Sequence, residues 1–188
     1  LAKNNIGGAL AGVTTPIIGI ITIVLLYITL SKQLASYNEQ RIKNECDIVL
    51  LLINQLDHEI ESFYVKQTQA GKEIKRTGIE ALNDFCREYR YENNIEQFKG
   101  NSTFKLWYEA GQIALLITTF QLIERRIISS PVKDKLSEIF NSKMQAYYKY
   151  KLKIPLTSLS EAFDIYSFHK DDITDIIQIF TAKHNALS

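Results

Sequence analysis

At 188 residues the chain has room for one domain and little more. The formal net charge is +1, and Lys3 is the only charge in residues 1–31, so the remainder carries 21 basic against 21 acidic residues. That balance lacks the basic footprint of a general nucleic-acid binder. Two cysteines, Cys46 and Cys86, make neither a disulfide framework nor a zinc pattern and read as buried thiols in a reducing compartment.

The first element is an uncharged run, Ile6 to Leu30. As a full helix it would reach roughly 37 Å, more than the ~30 Å hydrocarbon thickness of a bilayer. Pro16, preceded by Thr15, is suited to opening a helix, so the strongest span is Pro16 to Leu30 with a loop or kinked entry before it. A cleaved signal peptide needs small residues after its apolar core. Here Ala9-Leu10-Ala11 comes before it, which favours a retained span. Lys32, Arg41 and Lys43 follow the span and only Lys3 precedes it, which places the C-terminal part in the cytoplasm. The chain begins with Leu, so its start is expected to be missing or trimmed, which leaves room for an upstream first span of a membrane hairpin. Gly8 and Gly12 form a small-xxx-small pair, and with Pro16 and Gly19 they are the candidate helix-association residues. A glycine-rich surface loop explains the same residues, and Pro16 favours it.

Residues 32–188 are poor in Gly and Pro and read as a helical domain. From Ser31 to Lys66 apolar residues recur at Ile42, Cys46, Val49, Ile53, Leu56, Ile60 and Phe63, in alternating steps of four and three. The pattern fits a parallel coiled-coil seam between protomers. Leu50, Leu51 and Leu52 widen the stripe and favour a helix packed in its own domain. The span and this helix are compatible with one continuous rod. Gln69 to Glu73 reads as a turn, followed by a helix with Ile74, Ile79, Leu82, Phe85, Cys86 and Tyr89 on one side. A polar connection over residues 93–102 leads to a helix capped by Ser102 or Thr103. Its uncharged stretch, Ala110 to Ile123, is too short for a confident span and reads as the central buried helix. Ser130-Pro131 opens the next helix and Pro155 ends it. Ser158 with Glu161 caps a short helix, and a last helix covers Asp171 to His184. The expected architecture is all-α: one transmembrane helix in residues 1–31, then a cytoplasmic domain of about six helices and no sheet.

Chemistry is hard to find. No HExxH, Walker loop, GxGxxG or nucleophile elbow occurs, and no arginine is followed at four to six residues by histidine. His169, Asp171, Asp172 and Asp175 cluster near a helix start, where acidic residues complement the dipole without any metal. Tyr147, Lys149, Tyr150, Lys151 and Lys153 alternate rings with lysines and offer a surface for anionic lipid, single-stranded nucleic acid or a partner. Lysines at a helix C-terminus are also favoured with no ligand at all. No catalytic, metal or cofactor residue is assigned, and an enzyme is not expected.

The stretch with Gly7, Gly8, Pro16, Leu25, Leu26, Thr29 and Gln33 resembles that of phage abortive-infection membrane proteins of bacteria. The similarity is loose and covers about residues 6–60. It implies that the span is the second of a hairpin and that a helical cytoplasmic region follows. It also implies an antiviral role at the inner membrane, where a triggered effector perturbs the bilayer and arrests the infected host. Its implied partners are the lipid bilayer, another copy of itself, or a regulatory protein or nucleoprotein such as a retron-type sensor. The alternative is a membrane-tethered helical scaffold or sensor that binds proteins without damaging the membrane.

Overall fold

A computed structural model describes the backbone of residues 3–69, 72–91, 103–130 and 134–187. Six α-helices are present among the described residues: α1 (Lys3–Ser62), α2 (Gly78–Tyr91), α3 (Tyr108–Ser129), α4 (Asp134–Tyr147), α5 (Lys153–Ile165) and α6 (Asp172–Asn185). A hairpin of β1 (Tyr64–Gln69) and β2 (Lys72–Thr77) separates α1 from α2. The architecture is therefore all-α with one small antiparallel addition. Contacts divide the chain into two units, Leu1–Glu45 and Cys46–Ser188, and α1 contributes residues to both.

In the first unit, α1 runs through Pro16 without a break, so neither an entry loop nor a glycine-rich surface loop precedes it. Proline inside a helix removes one hydrogen bond and crowds the carbonyl four residues back, here that of Gly12. The large apolar side chains from Ile17 to Leu30 are all exposed, from 44 % at Ile28 to 73 % at Tyr27. The two threonine hydroxyls within that stretch bond to the helix itself. Thr22 Oγ1 donates to the Ile18 carbonyl and Thr29 Oγ1 to the Leu25 carbonyl, both at 2.8 Å.

The second unit is built on the other end of α1. Val49, Ile53, Leu56, Ile60 and Phe63 are buried in its core, together with residues of α2, α3, α5 and α6. This corrects the inter-protomer seam: Val49, Ile53, Leu56 and Ile60 already face their own domain, Cys46 and Ile42 are half-buried, and Leu51 on the other side is exposed. The widened stripe had the right meaning, because a domain core accepts an apolar face broader than a coiled-coil seam.

The hairpin corrects two expectations, that no sheet is present and that Ile74 belongs to a helix. Ile74 pairs with Gln67 in the register that runs from Tyr64 opposite Thr77 to Gln69 opposite Lys72. Residues 70 and 71, in the expected turn, lie outside the described residues, as does the connection over 93–102. Gln112 on α3 brackets the start of β1: its Oε1 accepts from the Tyr64 amide at 3.3 Å and its Nε2 donates to the Tyr64 carbonyl at 3.4 Å. The hairpin leaves into α2 through Gly78 at φ +73°, a conformation costly for any residue with a Cβ, and the Gly78 amide bonds the Phe63 carbonyl at 2.8 Å.

The helix α3 buries one face, from Ala110 through Ile113, Leu116, Ile117, Phe120 and Ile123 to Ile127, while Leu115, Leu122 and Ile128 stay exposed. Thr103 precedes only a 3-10 turn (Phe104–Leu106) and its side chain makes no cap bond there, and α3 itself starts after Trp107. Ser130 ends α3, and residues 131–133, including Pro131, lie outside the described residues.

Pro155 does not end the following helix. A π turn (Tyr148–Leu152) joins α4 to α5, with the Lys153 amide bonding the Tyr148 carbonyl. Pro155 comes two residues later, without an N–H and with a ring that crowds the Lys151 carbonyl, and a widened turn relieves both problems. Ser158 and Glu161 consequently lie inside α5 and cap nothing.

Polar links close the unit. Thr119 Oγ1 donates to Glu59 Oε1 at 2.9 Å, between α3 and α1. Glu124 on α3 meets Lys183 at 2.7 Å and His184 at 3.5 Å on α6. Burial pushes the Glu124 carboxyl up, but hydrogen bonds and charge from His184 and Lys183 outweigh it and hold the group below its ordinary value of 4.5. A carboxyl depressed by folding adds stability that is complete above its unfolded pKa and is lost as pH falls through the folded value. Two outcomes are expected in thermal melts of the full chain in detergent. Glu124→Gln lowers Tm at neutral pH, and the gap to wild type narrows on acidification below 4.5. Ile53→Ala costs about 2–5 kcal/mol by opening a cavity in the core, with no dependence on protein concentration. A concentration-dependent loss would restore the inter-protomer seam.

Candidate functional site

The tyrosine–lysine stretch is split by the π turn. Tyr147 and Tyr148 point inward and are buried, whereas Lys149 is exposed and Tyr150 is 77 % exposed. The hydroxyl of Tyr148 reaches Asn185 Oδ1 at 3.0 Å on α6, and burial pushes its pKa up to about 12. Burial and the negative charge of Asp57 likewise push the Tyr147 hydroxyl well up. Lys151 Nζ sits 4.5 Å from the Tyr147 ring centre and 2.5 Å from Asp57 Oδ1 on α1. Of the five residues singled out in the sequence, Tyr147 and Lys151 therefore tie α4 and the π turn to α1. Lys149 and Tyr150 form an exposed pair, 5.7 Å from ammonium to ring centre.

Lys153 belongs to a different feature, a groove of about 620 Å³ between α2 and α5. One wall is a single face of α2: Asn83, Arg87, Arg90 and Tyr91. The other is the first turns of α5, where Lys153 and Ile154 stand before Pro155, Thr157 and Ser158. Among the described residues, three cations and no carboxylate line it. Arg87 Nη2 pairs with Asp84 at 2.6 Å and Arg90 Nη1 with Glu161 at 2.5 Å, and the Arg90 guanidinium lies 5.2 Å from the Tyr91 ring centre. Asp84 also takes Arg76 from β2, so one carboxylate serves two guanidinium groups. No motif marks Arg87, Arg90 or Tyr91 in the sequence, and only the packing of α5 opposite them makes a concave site.

The acidic cluster near the last helix is structural. Asp171 is the N-cap of α6: its Oδ1 accepts from the amides of Ile173 and Thr174 at 3.0 and 3.1 Å, and its Oδ2 from the Lys105 amide at 2.6 Å. Thr174 completes a capping box. Asp172 pairs with Lys105 at 3.2 Å, and His169 is buried with its Nδ1 3.0 Å from the Tyr89 hydroxyl. Among the described residues no group of three or more His, Cys, Asp or Glu is placed to hold a metal ion. Cys86 is buried and its thiol is pushed far up by that burial, while Cys46 is only half-buried.

Gly8 and Gly12 lie on the helical backbone of α1, and their surroundings fall outside the described side chains. A Cβ added at Gly19 meets nothing within 4 Å, so that face is open. Among the described residues one helix, over Pro16–Ser62, is long and apolar enough to cross a membrane by length and composition. No protein-family model matches the chain, and no curated protein or solved structure matches it either.

The two halves of the tyrosine–lysine stretch are expected to separate on mutation. Tyr147→Ala removes a buried ring and costs about 3–5 kcal/mol. Lys151→Ala breaks a pair whose side chains are 43 % and 38 % exposed and a cation–ring contact with Tyr147, and costs about 1–2 kcal/mol. Urea unfolding of both variants reads the difference directly.

Proposed function

We propose that this chain is a membrane-anchored effector of bacterial defence against phage, with its helical domain in the cytoplasm. The observation that carries the membrane reading is α1. Its apolar side chains from Ile17 to Leu30 are exposed and its two threonine hydroxyls in that stretch are satisfied within the helix, as lipid demands of a polar group. Lys32, Arg41 and Lys43 against Lys3 favour a cytoplasmic orientation for the helical domain. The defence role rests on the resemblance at Gly7, Gly8, Pro16, Leu25, Leu26, Thr29 and Gln33. In this reading a signal received by the helical domain lets the spans associate through Gly8, Gly12, Pro16 and Gly19, and the bilayer is perturbed.

A second reading is a tethered scaffold or sensor, favoured by the compact core and open groove of the second unit. The two differ on whether the identity of the span matters. The deciding experiment expresses the protein in bacteria and follows membrane potential with a voltage-sensitive dye, with and without phage. The effector reading expects depolarisation that tracks growth arrest, and its loss in a well-expressed Gly8→Leu/Gly12→Leu variant. Replacing residues 6–30 by an unrelated span with activity intact would instead establish the scaffold. Recovery of the protein in the soluble fraction would end both.

A further inference from the structure

We infer that the groove between α2 and α5 is a binding site for a nucleoside polyphosphate. The inference does not depend on the membrane reading. Its volume, about 620 Å³, is that of a small-molecule site rather than a protein-docking surface. The lining is chemically one-sided: Arg87 and Arg90, one turn apart on α2, face Lys153 on α5, with no carboxylate among the described lining residues. Guanidinium groups bind phosphate oxygens two at a time, and an ammonium adds a point charge, so this set suits two or more linked phosphates.

The arginines are held meanwhile by Asp84 and Glu161, in pairs whose side chains are 64 % and 15 % exposed for Arg87–Asp84 and 33 % and 50 % for Arg90–Glu161. Pairs partly open to water are weak, and a more highly charged anion competes for their guanidinium groups. Beside the cations lies a flat apolar margin. Tyr91 is 66 % exposed and Ile154 77 %, so both stand open at the edge of the groove. A ring stacked on Tyr91 would cover that margin, with the Arg90 guanidinium already 5.2 Å from the tyrosine ring centre. Thr157 and Ser158 supply hydroxyls on the opposite wall for a sugar or a phosphate. Inorganic phosphate, an acidic peptide or a lipid headgroup uses the cations and leaves the aromatic margin bare.

The test uses the full chain in detergent micelles and titrates ATP and inorganic pyrophosphate by calorimetry. The expected result is saturable ATP binding with Kd below about 1 mM. Arg87→Ala and Arg90→Ala should each weaken it roughly tenfold, the usual loss for a charge-assisted hydrogen-bond partner. Tyr91→Ala should weaken ATP but leave pyrophosphate unchanged, which a merely structural defect would not do. Lys153→Ala is the further variant should an arginine variant fail to fold by circular dichroism. Absence of saturable binding of both ATP and GTP overturns the inference, as does binding unchanged in the folded variants. Pyrophosphate binding as tight as ATP overturns the ring platform and the nucleotide with it. Binding only to phosphatidylglycerol vesicles, uncompeted by ATP, would make the groove a lipid-headgroup site instead.

Discussion

The buried ring of Tyr89 organises the second unit. Trp107, Phe163, Phe104, Tyr166 and His169 have ring centres 5.2 to 6.0 Å from it, most in edge-on geometry. These rings come from α2, the turn before α3, α5 and the 3-10 turn (Ser167–His169) before α6. Edge-on contact satisfies the quadrupoles of several rings at once and allows little sliding. The separation of α2 from α5 follows from this packing, and so does the width of the groove whose walls those two helices form. Residues one to two positions from Tyr89 on α2, Arg87, Arg90 and Tyr91, are presented to that groove because Tyr89 itself is held inward.

A second aromatic set, Phe120, Tyr148, Phe180 and His184, does the same for α3, the π turn and α6. Each set contains one histidine and tyrosine hydroxyls with partners: Tyr89 with His169 and Tyr166 with the Arg90 carbonyl in the first, and Tyr148 with Asn185 in the second. A buried polar atom is costly where its bond is not made, so these pairs fix register that apolar contact alone leaves loose. The π turn belongs to this scheme. Widening the helix by one residue lets both Tyr147 and Tyr148 point inward, toward α1 and α6 respectively, a placement consecutive residues of a regular helix reach less easily.

The first unit obeys a different constraint. Its exposed apolar surface from Ile17 to Leu30 is unfavourable in water, and the backbone and threonine groups are satisfied within the helix. Both properties are compatible with a segment that crosses a membrane, which its length and composition allow. The same helix then supplies Val49, Ile53, Leu56, Ile60 and Phe63 to a core of ordinary composition.

Much of this was legible along the chain, because helix type depends on neighbours three and four residues apart. The uncharged run, the stripe from Val49 to Phe63 and the buried face of α3 all follow from local periodicity. The hairpin did not, since only Val65 among its described side chains is buried and its long polar residues show no alternation of period two. Pro155 misled for a related reason: a proline normally ends a helix, and only the π turn packed beneath it makes the helix continue. Whether the heptad stripe met another chain or its own domain depended on which surfaces were near it. So did the groove, which needs one face of α2 and the first turns of α5, more than sixty residues apart in sequence, to be brought together. Local pattern specifies which face of a helix is apolar, but the partner of that face is chosen by long-range packing, and concave sites exist only after that choice is made.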